Sequence, residues 1–478
     1  MENIRQKVLL GVFWKFCERF LSQIVSFVVS IVIARILMPS DYGVVAIVNV
    51  FIVIANIFVV SGFTSALIQK RNADDCDFST LFYCSLIISI LSYFALFFLA
   101  PFISRFYGTE ELTSVFRVFA LILPISSYNA MQNAYIAKNM QFKKNFWGTF
   151  LGTCLSGVLG IVLALNGFGV WALVFQYLSN NIVNGIVLFF LIDWKPKLYF
   201  SINRAKPLLK FGMNILAADF VGTIFNQLNT FIIGKKYSVE QLAYYNRGQS
   251  FPYLVNGNMC SVLANVLYPA FSAESNNDDK LVSMARKTVR LSVYALSPLF
   301  LGLAAVGENM IKVLLTDKWL EAYPFLIIIC ISCLFSAPST IALQLLKAKG
   351  RSDIVFHLEF VKKPLWVIMT ICALFVGVKA LACVLILVGV EEMVVNAIAV
   401  RRILNYSFFE HMKDVLFSLA PSVMMFLLIY PIQFWNVSCY VLFPLQIFLG
   451  ALFFVLLAVL TKNQNFLYLY EMVKRRKM

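Results

Sequence analysis

Apolar residues run along the chain in fourteen long stretches divided by short polar breaks. They lie at about 12–37, 42–66, 79–103, 114–137, 146–166, 169–192, 207–234, 243–270, 287–306, 322–346, 354–377, 380–401, 414–432 and 439–460. A helix needs roughly 20 such residues to cross the hydrocarbon core of a bilayer. The pattern therefore predicts an all-α integral membrane protein of about 14 transmembrane helices. Two stretches carry the most interruptions. The eighth holds Pro252 and Gly257, where a kink or unwound turn is expected, and the eleventh begins with His357, Glu359, Lys362, Lys363 and Pro364.

Composition agrees with the pattern. Hydrophobic residues make up 60% of the 478 positions and charged residues only 13%, with a mean hydropathy of +0.81. A soluble protein carries roughly a quarter charged residues, so a soluble enzyme and a disordered chain are both excluded. Connections hold at most about 15 residues, too few for a soluble catalytic domain. The ten cysteines lie mostly in apolar stretches and read as small hydrophobes. Lys15, Glu18 and Arg19 interrupt the apolar run that a cleavable signal would need, so the first helix is expected to stay in the mature chain.

The net charge of +16 is distributed unevenly. One set of alternate loops, with both termini, holds 26 basic residues, among them Arg71, Lys462, Arg476 and Lys477. The other set holds 7. Basic residues stay on the cytoplasmic side, so both termini are placed in the cytoplasm. No basic run alternates with exposed aromatics, and nucleic acid is not an expected partner. The tripeptides beginning at Asn405 and Asn436 fit the glycosylation pattern, one that arises easily by chance.

An internal repeat emerges on comparing halves. Val32-Ile33-Ala34-Arg35 closes the first helix and Ile232-Ile233-Gly234-Lys235 the seventh. Gly167-Phe168-Gly169 turns the fifth–sixth hairpin and Gly377-Val378-Lys379 the eleventh–twelfth. These offsets predict two parallel six-helix lobes around a central cavity, plus two C-terminal helices. The expected divisions are a lobe over 1–192, a cytoplasmic linker over 193–206, a second lobe over 207–402, and appended helices with a basic tail over 403–478. Parallel repeats of this kind are a transporter architecture.

An ionisable group at the bilayer centre costs about 3 kcal/mol or more, and survives by facing a wet cavity, pairing or snorkelling. The first helix carries Lys15 and Arg19, with Glu18, Ser22, Ser26 and Ser30 at four-residue spacing on one face. The cations read either as an anion site in a cavity or as snorkelling groups with Glu18 paired to one of them. The seventh helix carries Asp219, Thr223, Asn226 and Thr230, where Asp219 is a counter-ion, an ion-coupling group or a helix–helix contact. The eighth opens Tyr244-Tyr245-Asn246-Arg247, with Arg247 either a second anion site or an interfacial anchor. Asn49, Asn56, Asn226 and Asn258 are candidates for contacts with sugar hydroxyls, with inter-helix hydrogen bonding as the default alternative, and Glu18 and Asp219 are candidates for ion coupling. Lys362 and Lys363, beside Trp366, read as interface anchors, and Glu391 and Glu392 as interfacial or part of a coupling site. No nucleophile, metal or nucleotide motif is present, so neither catalysis, a metal nor a cofactor is implied.

The sequence resembles the Wzx-type polysaccharide flippases, in the superfamily that also holds multidrug exporters and the lipid II flippase. The likeness lies in Ile33-Ala34-Arg35-Ile36-Leu37-Met38-Pro39-Ser40-Asp41-Tyr42-Gly43 at the first-to-second helix junction, in Gly167-Phe168-Gly169-Val170-Trp171-Ala172-Leu173, and in Tyr244-Tyr245-Asn246-Arg247. Lys138 in Ala137-Lys138-Asn139-Met140 stands where the family pattern has Arg. The resemblance implies an inner-membrane flippase working by alternating access on a polyprenyl-diphosphate-linked oligosaccharide, with other polysaccharide assembly proteins as partners beside membrane lipids. A cation-coupled antiporter of the same fold, a membrane glycan polymerase or ligase, and a non-transporting scaffold are the alternatives.

Overall fold

The computed structural model describes residues 2–70, 72–404, 406–461 and 463–475. Arg71, Lys462, Arg476 and Lys477 of the basic set, and Asn405 of the first tripeptide, lie outside the described residues. The described residues form helices and no strand.

All fourteen expected helices are found. They are α1 (Glu2–Ile36), α2 (Pro39–Gln69), α3 (Asp75–Tyr107), α4 (Leu112–Lys138), α5 (Phe142–Leu165), α6 (Val170–Leu191), α7 (Ile202–Lys236), α8 (Val239–Ala273), α9 (Asp278–Leu315), α10 (Asp317–Ala348), α11 (Ser352–Leu374), α12 (Val378–Ile403), α13 (Phe408–Phe434) and α14 (Cys439–Leu460). The basic tail adds a short helix, α15 (Gln464–Arg475), which the sequence reading left as tail. Twelve of the fourteen are long and apolar enough to cross a membrane, and the exceptions are α8 and α11. These are the two stretches with the most polar interruptions. Pro252 and Gly257 do not unwind α8, whose helix runs unbroken from Val239 to Ala273.

Three helices are broken where the hydrophobic pattern runs on. α2 turns at Ser61-Gly62, α4 at Ala120-Leu121 and α10 at Leu334-Phe335. At the first break Gly62 has φ +83°, and a Cβ there would lie 2.5 Å from the carbonyl oxygen of Gly212 on α7. Two glycines let the backbones of α2 and α7 touch.

Contacts divide the chain into two units, 1–243 and 244–478. By packing, therefore, α7 joins the first six helices, although in chain order it opens the second set of six. The segment expected as a linker is fastened down within the first unit. Trp194 is 1% exposed and packs on Phe78 and Tyr135. Lys197 pairs with Asp75 at 2.8 Å, and Arg204 with Asp74 at 2.6 Å. Farther along α7, Phe231 packs on Phe51 and Tyr107. In the second unit α9 is the central helix. It is joined to α13 by Ser297–Ser422 at 2.7 Å and to α14 by Asn309–Gln446 at 3.0 Å, all buried.

The units share internal punctuation. Backbone with positive φ recurs at Gly108 and Thr316, at Met140 and Gly350, and at Gly169 and Gly377. Each pair stands about 210 residues apart, so the turns after the third, fourth and fifth helices recur after the ninth, tenth and eleventh. Outward faces of the units carry large apolar side chains, such as Phe94, Phe98 and Phe102 on α3 and Phe448 on α14. In water such a surface would aggregate, whereas acyl chains cover it.

Candidate functional site

The first unit contains a polar cavity of about 460 Å³ within its spanning helices. Its construction starts from α1, which packs along α5. Small residues on α5 permit the approach: Gly157 faces Val29, and Gly160 faces Ile33. The register that results turns Glu18 toward α5, where its Oε1 accepts from Asn145 Nδ2 at 2.9 Å and from Thr149 Oγ1 at 3.5 Å. Lys15 Nζ meets Glu18 Oε2 at 2.9 Å. Thr64 of α2, Asn133 of α4 and Asn184 of α6 complete the polar lining.

The cavity is rich in hydrogen-bond acceptors rather than cationic. Its one lysine is matched by its one glutamate. The amide nitrogen of Asn145 is committed to Glu18, which leaves Asn145 Oδ1 buried with no donor among the described residues. A flipped amide would set oxygen against the carboxylate, so the orientation is fixed by charge. Asn184 Oδ1 is likewise buried without a donor. The neighbouring seam repeats this. Asn129 and Gln132 give their amide nitrogens to the Asn181 and Gly185 carbonyls at 2.9 and 3.1 Å, and their own oxygens have no donor among the described residues. A buried acceptor left unmet costs about 1–3 kcal/mol. Such a lining suits a guest that brings O–H or N–H groups.

Only part of the expected constellation is brought together. Lys15 and Glu18 line the cavity, but Arg19 is exposed and is not part of its lining. Asn49, Asp219 and Asn226 are exposed, while Asn56 is half-buried with Oδ1 lacking a donor among the described residues. Arg247 lies in the second unit. It is 9% exposed, with its guanidinium 5.0 Å from the centre of the Trp319 ring. Asn258 donates to Leu254 of its own helix at 2.8 Å. Lys362 is not an interface anchor: it is 5% exposed and pairs with Glu359 at 2.6 Å.

Sequence reading missed Asn145, Thr149 and Asn184. The signal available was a pair of facing polar rows, Asn145–Thr149 on α5 and Asn180–Asn184 on α6, set among glycines. Lys138 was quoted without a role. It serves as a cap, donating to the carbonyls of Leu67 at 3.1 Å and of Lys70 at the end of α2.

Residues 32–324 match the family described as polysaccharide biosynthesis protein. The succinoglycan biosynthesis transport protein ExoT of Rhizobium meliloti (strain 1021) is 23% identical over 69% of this chain and 67% of its own length. The lipopolysaccharide biosynthesis protein WzxC of Escherichia coli (strain K12) is 22% identical over 76% and 75%. The teichuronic acid biosynthesis protein TuaB of Bacillus subtilis (strain 168) is 22% identical over 75% and 74%. Among solved structures, the lipid II flippase MurJ superposes with a TM-score of 0.74 at 16% identity, covering 95% of this chain and 99% of that one. An inward-facing multidrug transporter of the MATE family gives 0.56 at 15% identity, covering 80% and 95%. These establish the fold as that of the superfamily the sequence resembles, and the chain, matched over more than half its length, belongs to the polysaccharide biosynthesis protein family.

Proposed function

We propose that the protein is a flippase that moves a polyprenyl-diphosphate-linked oligosaccharide from the cytoplasmic to the outer leaflet of a bacterial inner membrane by alternating access. The observation that carries this reading is the acceptor-lined cavity among the spanning helices of a member of this family. Sugars bring hydroxyl donors, which Asn145 Oδ1, Asn184 Oδ1 and Glu18 would receive. A diphosphate requires cations, and Arg19, Lys15 and Arg247 are the ones proposed to meet it, Arg19 and Lys15 from the inner side and Arg247 from the outer. An arginine fork donates two bonds to phosphate oxygens. Both termini are placed in the cytoplasm on the basic-residue count, and other polysaccharide assembly proteins are the proposed partners. Asn49, Asn56, Asn226 and Asn258 are proposed to touch sugar as the passenger moves.

The second reading is a cation-coupled antiporter. It draws support from Glu18, an α1 carboxylate held by an amide and a hydroxyl, with Asp219 on α7 as a further candidate. One experiment separates the two. In vesicles reconstituted with the protein and a fluorescent lipid-linked oligosaccharide, the flippase reading requires protein-dependent transfer of label between leaflets. An antiporter leaves the label where it began and moves small cations instead.

A further inference from the structure

The second unit holds a charged cluster midway along α11 and α12, with Lys362 and the Glu391 oxygens buried and Glu359 and Lys363 partly exposed, that the proposed substrate path does not use. Lys362 lies ten residues inside α11, about 15 Å from its beginning, and Glu391 lies twelve residues from the end of α12, about 18 Å. By the basic-residue count both ends face the cytoplasm, and the packed pair α11–α12 brings the two depths to one level. Lys362 is 5% exposed and bonded to Glu359 at 2.6 Å, while Lys363 stands 3.8 Å from the same carboxylate. Both carboxylate oxygens of Glu391 are buried and have no hydrogen-bond partner among the described residues. Glu392 is its neighbour in the chain, and α11, packed along α12, carries Glu359, Lys362 and Lys363.

Counting ionised groups, three carboxylates face two ammoniums. The surplus negative charge sits where a bare charge costs several kcal/mol. Like carboxylates at one site do not both ionise freely. One proton on Glu391, whose oxygens have no partner among the described residues, makes the centre neutral. A metal cation has less room there, because the Lys362 ammonium already supplies buried positive charge. The remaining helices packed on α12 bring few titratable groups. α10 contributes Ser332, Ser339 and the buried thiols Cys330 and Cys333, and α13 carries Glu410, His411 and Asp414 near its start, away from this level.

We propose that Glu391, with Glu392 and the Lys362–Glu359 pair, forms a proton-exchange centre in the second unit. A carboxylate oxygen takes a proton from water, forming an O–H bond that neutralises the centre, and returns it to water when the surroundings open. Glu18 fits this role less well, being already matched by Lys15 and by two neutral donors.

The test needs no glycan. Infrared difference spectra of the purified full chain in lipid vesicles, taken between acid and alkaline pH, report the stretching band of a protonated carboxyl. The centre predicts a band and an uptake of about one proton per chain, lost in Glu391→Gln and Glu392→Gln and retained in Glu18→Gln. In Lys362→Met, which removes the compensating ammonium, the titration moves to higher pH, a change that a merely structural lysine would not produce. Glu391→Asp replaces Glu391→Gln should the amide fail to fold, and it must keep a shifted band. An unchanged band in both glutamine variants overturns the proposal. So does a response to sodium at constant pH that the same variants abolish. A chain that titrates but moves no lipid-linked label would refute the flippase reading and leave this one standing.

Discussion

Lys138, at the end of α4, donates to the carbonyl of Leu67 at 3.1 Å and closes the open end of α2. Lys349, about 210 residues later, reaches the Ser275 carbonyl and Asp278 Oδ1, each at 2.8 Å, just beyond the end of α8. The last carbonyls of a helix have no partner within it, and a lysine also favours the negative end of the helix dipole. Lys138 thus fastens the second helix to the fourth, and Lys349 fastens the tenth helix to the turn between the eighth and ninth. Replacing Lys138 by Met should cost about 1–3 kcal/mol, the penalty for stranded partly buried acceptors. Lys138→Arg, the residue the family pattern carries, should keep most of it. Thermal unfolding in detergent measures both, and a Met variant as stable as the parent would remove the capping role.

How far the sequence reached can be judged on particular residues. The fourteen helices were legible because the bilayer demands long apolar runs whatever the tertiary packing. The breaks in α4 and α10 were missed although they could be read: Pro124 and Pro338 stand four residues past Ala120 and Leu334 and strip the helix bond to each of those carbonyls. Lys15–Glu18 was visible as a spacing of three, whereas Asn145 lies 127 positions from the carboxylate it serves. Arg19 shows the limit of face counting. It is one residue past Glu18 and so turned about 100° from it. Once α5 claims the Glu18 side of α1, Arg19 is left outside the cavity.

The Arg204–Asp74 pair predicts how acid acts on the N-terminal end of α7. The guanidinium holds the Asp74 carboxyl down at about 2, from an ordinary 3.8. A depressed carboxylate stabilises the fold above its unfolded value and loses that contribution as pH falls through 3.8 toward 2. Asp74 and Arg204 are both well exposed, so salt screens the pair and its worth is small. Protection from hydrogen exchange at the start of α7, taken relative to the intrinsic rate at each pH, should fall below about pH 4 in the parent and show no such pH step in Arg204→Gln. Equal steps in both proteins would detach the effect from this pair.

Gly62 predicts a backbone effect. A side chain there meets both a left-handed φ of +83° and the Gly212 carbonyl at 2.5 Å. Gly62→Ala should therefore destabilise by about 1–3 kcal/mol, although Ala is the better helix former. Gly222→Ala, on α7 with open space around its Cβ position, should be neutral or stabilising. Comparing the two melting temperatures tests whether close approach, rather than loss of glycine as such, sets the cost.

Asn145 tests the cavity itself. It is 7% exposed, and its amide supports the Glu18 carboxylate. Asn145→Leu removes a hydrogen bond to a charged group, for which about 1.5–3 kcal/mol is typical, and closes polar space with an apolar side chain. Asn145→Asp keeps the shape but sets a second carboxylate against Glu18. Both should lower leaflet transfer of lipid-linked oligosaccharide, and Asn145→Asp should recover partly at low pH, when one of the two acids is protonated. Transfer at parental rates in both variants would show that the passenger does not use this cavity.

Arg19 and Arg247 separate a binding role from a packing role. Arg19 is exposed, so Arg19→Ala should change stability by no more than about 0.5 kcal/mol. Any loss of transport in that variant is then a loss of substrate contact. Arg247 is buried over Trp319, itself fully buried. A desolvated cation–aromatic contact contributes about 2 kcal/mol, so Arg247→Ala should lower the melting temperature as well as transport, and transport alone says little. Arg247→Lys is the informative change, because it keeps the charge over the ring but loses the planar fork that grips two phosphate oxygens. A lysine variant that melts like the parent and transports poorly would support a phosphate contact. One that melts and transports like the parent would leave Arg247 as a brace between α8 and α10.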